Sequence, residues 1–194
     1  MTCSRRIALT AVLIAVGAVA RIIIGNITMF IPQPFYGLVI AVGLTETITF
    51  ISGFTLGPIE GFTTGASIIV ISDIATLPGA WTPLIAIIIG LMGVFAGIIR
   101  KFKKLDFWML AVSSILLTLM SETLQNVSIA LLFNTPVLGT ILFGLPTLGV
   151  ALVNNFILFT TVGYRVIAMI LGSAANGKTT AKCEVGAGGE VFAR

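Results

Sequence analysis

Four ionisable residues interrupt long apolar stretches of this chain: Arg21, Glu46, Asp73 and Glu122. Around Glu122 the polar residues are ordered. Ser114, Thr118, Glu122, Gln125 and Asn126 recur at helical spacing, which places them on one face of a helix. Asn154 and Asn155 add two amides, and Trp81 adds an aromatic surface. These residue types suit recognition: carboxylates accept from cations, a guanidinium pairs with carboxylates, and amides do both. They do not suggest catalysis. The chain has no histidine, so the commonest general base and the commonest metal ligand are missing. No GxxxxGK[ST] phosphate loop, HExxH or GxSxG occurs. We expect a chain that is not an enzyme and uses no metal or cofactor.

What must position these groups follows from composition. Of 194 residues, 57% are hydrophobic and only 9% charged, where soluble domains carry about 25%. Mean hydropathy is +1.14, the signature of a membrane protein. Cys3 and Cys183 stand near opposite ends and define no disulfide framework. MTCSRR leads straight into an apolar run too long for a signal-peptide core, so that run reads as a first membrane helix.

Apolar segments of about 20 residues cross a bilayer as helices. Six are expected, at 7–25, 36–56, 58–77, 82–100, 107–132 and 147–171. Gly57-Pro58 opens the third, where proline suits a first turn. Residues 26–35, 77–83 and 133–146 read as uncharged, proline-punctuated links. Together these give an all-α integral membrane fold, a compact six-helix bundle over 1–172. A disordered cytoplasmic tail is expected over 173–194, which is polar and glycine-rich.

Charge orients the bundle. With six spans, Arg5, Arg6, Arg100, Lys101, Lys103, Lys104, Lys178, Lys182 and Arg194 all fall on one side, and Arg165 snorkels towards it. Cationic loops stay in the cytoplasm, which puts both termini inside. Basic residues spread along membrane flanks do not suggest nucleic acid. On a rise of 1.5 Å per residue, Arg21, Asp73 and Glu122 all lie roughly 20 Å from the inner face. Glu46 lies near mid-depth, without an obvious partner. Charges at one level on three helices suggest a pocket open to the outside, with Trp81 at its mouth. Arg21 with Asp73, or with Glu122, can equally be an ion pair that only joins helices. Glu60, in the first turn of its helix, complements the helix dipole.

Small residues form a second pattern. Gly57, Gly61 and Gly65, like Gly93 and Gly97, repeat at four-residue spacing that lets helix backbones approach. Ala8, Ala11, Ala15 and Ala18 lie along one side of the first helix. Periodicity alone does not say whether that face packs inside the bundle or meets another protein.

Three stretches carry a family resemblance: R6-I-A-L-T-A11-V-L-I-A15, L56-G-P-I-E-G61-F-T-T-G65-A-S-I-I-V-I-S-D73, and P83 through R100. With the short length and six expected spans, the chain resembles the substrate-binding S component of energy-coupling factor (ECF) transporters over residues 5–171. The resemblance implies a subunit of a prokaryotic plasma membrane that binds a vitamin or related micronutrient with high affinity from outside. It also implies a transmembrane coupling protein, two cytoplasmic ATPases, and docking through Ala11 and Ala15. Glu122, Asn126, Arg21, Asp73, Trp81 and Asn154 are the expected substrate-binding residues. Glu122 and Asp73 suit a cationic ring such as thiamine or its pyrimidine, whereas Arg21 suits a carboxylated vitamin. The alternative is an autonomous ion-coupled secondary transporter, for which inverted repeats are expected and none is evident. A purely structural membrane protein would bind no ligand and tolerate changes at Glu122.

Overall fold

A computed structural model of the chain describes residues 3–28, 43–76, 78–102, 105–176, 183–185 and 191–193. The expected link at 29–35, the first part of the second helix, Lys103, Lys104, Lys178, Lys182 and Arg194 lie outside them. Helices dominate: α1 (Cys3–Thr28), α2 (Leu44–Leu56), α3 (Pro58–Ala75), α4 (Thr82–Phe102), α5 (Phe107–Leu132) and α6 (Val137–Leu158). A wide, π-type turn at Phe159–Gly163 carries α6 directly into α7 (Tyr164–Asn176). Cys183–Val185 then pairs antiparallel with Val191–Ala193. Four stretches are long and apolar enough to cross a membrane: Ser4–Ile24, Thr82–Lys101, Phe107–Leu132 and Val137–Gly172. Their length and composition fit a membrane helical bundle.

Contacts between named residues give each helix its direction. Arg6 with Glu60, and Arg21 with Asp73, set α1 parallel to α3. The hydroxyls of Ser52 and Thr64 meet at 2.7 Å, and Gly53 meets Gly61, so α2 and α3 are antiparallel. Gly61 meets Gly93 while Gly65 meets Ile89, so α3 and α4 are antiparallel too. Asn155 with Thr118, and Asn126 with Gly144, do the same for α5 and α6. Gly43 abuts Asn155 and the Phe50 ring lies 4.7 Å from that of Phe159, which makes α2 parallel to α6. Helix direction therefore alternates along the chain from α1 to α6.

α2 is the hub. Every residue from Thr47 to Leu56 is buried. Phe50 and Phe54 stack with centroids 5.8 Å apart and lead a core that includes Ile69, Ile89, Met92, Leu110, Leu117 and Phe159. Glycines let α2, α3 and α4 close together. A Cβ on Gly61 would lie 2.6 Å from the Gly53 Cα and 2.5 Å from the Gly93 carbonyl oxygen. No side chain fits there.

The corner from α2 to α3 is a single residue, Gly57, at φ +134°, a conformation side chains disfavour. Pro58 then opens α3, as its fixed φ favours. The last carbonyls of α2 find partners on other helices. Arg6 of α1 donates to Leu56 at 2.7 Å, and Arg100 of α4 donates to Thr55. Two cations at a helix C-terminus oppose its negative dipole end. Arg6 also pairs with Glu60, which gives Glu60 a partner beyond the dipole role read from sequence. These contacts define a basic end of the bundle.

One boundary needs correction. Residues 133–146 read as a link, with the sixth helix starting at 147. The structure shows a turn at Phe133–Asn134 and helix from Val137, with Pro146 inside it. A membrane helix tolerates an internal proline because neighbouring groups and local adjustments compensate the lost N–H bond. At the π-type turn downstream, Thr160 donates to the Phe156 carbonyl at 2.7 Å and Thr161 to that of Ile157 at 2.6 Å, the back-bonding to the preceding turn that accompanies bent helix. The helix ends at Asn176, inside the stretch expected to be a disordered tail.

Candidate functional site

Away from the basic end, the charged residues sort into two groups. The first is closed. Arg21 Nη2 lies 3.3 Å from Asp73 Oδ1, and Thr82 donates to Asp73 Oδ2 at 2.8 Å. Thr82 Oγ1 also accepts from the Gly79 N–H at 3.2 Å. Asp73 is 5% exposed, and both of its oxygens are engaged. This assembly ties α1 to α3 and fixes the turn into α4. Thr82 was the member absent from the sequence reading; its place at a helix start gave no sign of its carboxylate partner.

The second group is open. Glu46 on α2 lies within electrostatic reach of Arg21, and Glu122 on α5 within reach of Glu46. Both are partly buried. Among the described residues neither forms an ion pair. The sequence placed Glu122 with Arg21 and Asp73 and left Glu46 alone. The structure brings Glu46 within electrostatic reach of Glu122 as well. Local spacing along single helices does not encode that relation.

The polar face of α5 does turn inward. Ser114, Thr118 and Ser121 are fully buried. Ser114 and Ser121 donate to carbonyls on their own helix, those of Ala111 at 2.8 Å and Thr118 at 3.2 Å. Thr118 instead accepts from Asn155 Nδ2 on α6 at 2.8 Å. Asn155 is 2% exposed, and its Oδ1 has no hydrogen-bond donor. Of the two adjacent amides, Asn154 was the expected site residue; it is only partly buried, and Asn155 is the one that reaches Thr118. Asn126 donates to the Glu122 carbonyl at 2.9 Å and packs against Gly144 of α6.

No known protein family, curated protein or solved structure matches this chain. The residues alone therefore carry the functional argument.

Trp81 stands at the end of the bundle remote from Arg6 and Arg100. Its ring lies 6.4 Å from that of Phe133, so it bridges the turn before α4 and the turn after α5. On α1, Ala8, Ala11 and Ala15 are exposed, beside exposed Val12, Val16 and Val19. Ala18 departs from that stripe and is buried at 3% exposure. Neighbouring Gly17 abuts Ile68 of α3. The first half of α1 thus keeps an exposed small-residue stripe, and the helix packs inward at Gly17 and Ala18 while Val19 and Ile23 stay exposed.

Proposed function

We propose that this chain is the substrate-binding S component of an ECF-type transporter, holding a vitamin or related micronutrient within a six-span membrane bundle. In this reading the basic end and both termini face the cytoplasm of a prokaryotic cell, and the ligand enters from the opposite side. The observation that carries it is the polar interior where α5 meets α6: Ser114, Thr118 and Ser121 are fully buried, Asn155 reaches Thr118 at 2.8 Å, and Glu122 lies one turn further along α5. Polar groups inside a membrane helix bundle are costly, and their usual justification is a solute path or site. The exposed surface at Ala11 and Ala15 supports docking to a helical coupling protein, which two cytoplasmic ATPases would drive. Arg21 and Asp73 frame the site as a fixed pair, and Trp81 rims its entrance.

The test is mass spectrometry of small molecules retained by the purified chain. A micronutrient held by the parent and lost on Glu122→Gln supports the reading. An empty parent that transports on its own after reconstitution would replace it with the second reading, an autonomous ion-coupled carrier. That alternative draws on one feature: two carboxylates in a single electrostatic neighbourhood form a natural proton or cation site.

A further inference from the structure

α4 and α5 follow each other in the chain, yet they pack sparsely together, whereas α4 lies tightly on α3. Glycines explain the difference. Gly93 meets Gly61 and Gly97 meets Pro58, which draws that face of α4 onto α3. Phe95 and Ile99, two residues on from those glycines, stand about 200° round the helix at 3.6 residues per turn. They line a cleft of about 740 Å³ whose other wall, on α5, includes Val112, Leu116 and Met120.

We propose that this cleft holds an acyl chain of an anionic phospholipid, with the headgroup beside Lys101 at the basic end of the bundle. The proposal holds whichever solute the bundle carries. Its first support is dimension. From Trp108 to Met120 the α5 wall rises about 18 Å, against about 15 Å for one leaflet of a hydrocarbon core about 30 Å thick. The second is chemistry. The polar groups of the lining are spent on their own helix: Asp106 accepts from the Phe107 N–H at 2.8 Å, and Ser113 donates to the Met109 sulfur at 3.6 Å. An acyl chain laid there leaves neither group unpaired, and Met109 and Met120 adapt to its shape. Phe95, Val112 and Leu116 are exposed, so the chain enters sideways from the bilayer. The third is charge. Arg100 and Lys101 follow Ile99 in the last turn of α4, and Lys103 and Lys104 come next in the sequence. Arg100 is bound to the Thr55 carbonyl, while Lys101 is exposed. Trp108, 72% exposed, stands in the first turn of α5 at the same end, as aromatic residues do at the headgroup layer. Basic pockets between membrane helices select anionic headgroups. A partner's helix suits the cleft less well, because such interfaces are rich in small residues and this lining is bulky.

The test equilibrates the detergent-purified full chain with dioleoyl phosphatidylglycerol or dioleoyl phosphatidylcholine and reads bound lipid by native mass spectrometry. Phosphatidylglycerol is expected to bind about five-fold or more tighter, the scale of one cation near an anionic surface. That preference should vanish in the combined variant Lys101→Gln, Lys103→Gln and Lys104→Gln, which still binds phosphatidylcholine. Leu116→Trp fills the cleft and should abolish binding of both lipids; Val112→Phe takes its place if Leu116→Trp does not fold. Equal affinity for the two lipids, or a preference that survives loss of the three lysines, overturns the proposal. So does lipid binding indifferent to both cleft-filling variants, or no bound lipid at all. A photo-crosslinker at position 116 that captures a polypeptide instead of lipid in native membranes overturns it in favour of a partner's helix.

Discussion

Thr82 donates its hydroxyl to Asp73 Oδ2 at 2.8 Å from across the turn that joins α3 to α4, on the side of the carboxylate that Arg21 leaves free. One aspartate therefore holds three helices in register. Replacing Asp73 with Asn keeps a partner for Thr82 and removes the charge that balances Arg21. We expect a loss of about 1.5–3 kcal/mol at most, the scale of a charged hydrogen bond, read as a lower melting temperature in detergent. Ligand affinity should fall far less than in Glu122→Gln. The opposite ranking would make Asp73 a ligand contact.

The glycine crossing gives a sharper contrast. Gly61→Leu places a side chain where even a Cβ would lie 2.6 Å from the Gly53 Cα. The α2–α3–α4 core should separate, with loss of folded protein on size-exclusion chromatography. Gly149→Ala on α6 meets nothing within 4 Å and should leave the melting temperature unchanged or raise it slightly.

Thr118 and Asn155 should be energetically coupled. A double-mutant cycle of Thr118→Val and Asn155→Leu is expected to give a coupling of about 0.6–1.7 kcal/mol, the range for hydrogen bonds between membrane helices. Additive melting shifts would mean that the bond observed at 2.8 Å contributes nothing to stability.

On α1, Ala15→Leu enlarges an exposed residue and should leave folding and ligand retention intact. Co-purification with a coupling protein should be lost. Survival of that complex would leave the small-residue surface without a docking role.

Sequence periodicity located the helices that carry the polar groups, and five of the six expected segments coincide with observed helix over their described parts. It also recognised that Arg21 and Asp73 share a level, because depth follows from residue count along a helix of fixed rise. It did not show that Thr82 completes that pair, nor that Glu46 lies within electrostatic reach of Glu122. Both depend on lateral packing, which counting along single helices does not address. The start of α6 was missed for a different reason. Pro136, Gly139, Gly144 and Pro146 are loop-forming residues in water, but in lipid an exposed irregular backbone has no solvent to satisfy it, and helix wins.

The unbroken passage from α6 through the π-type turn into α7 sets a demand on the surrounding lipid. From Val137 the chain meets no charged residue until Arg165. At 1.5 Å per residue that uncharged length is about 42 Å, against a hydrocarbon thickness of about 30 Å. A helix longer than its bilayer leans or thickens the lipid around it, at a cost of fractions of a kcal/mol per Å of mismatch. This helix joins the rest of the bundle through α2 and α5, so any lean is transmitted to the helices bearing Glu46 and Glu122. Bilayer thickness thereby becomes a variable that bears on how α6 and α7 sit against α2 and α5, and acyl-chain length in reconstituted vesicles is the means of varying it.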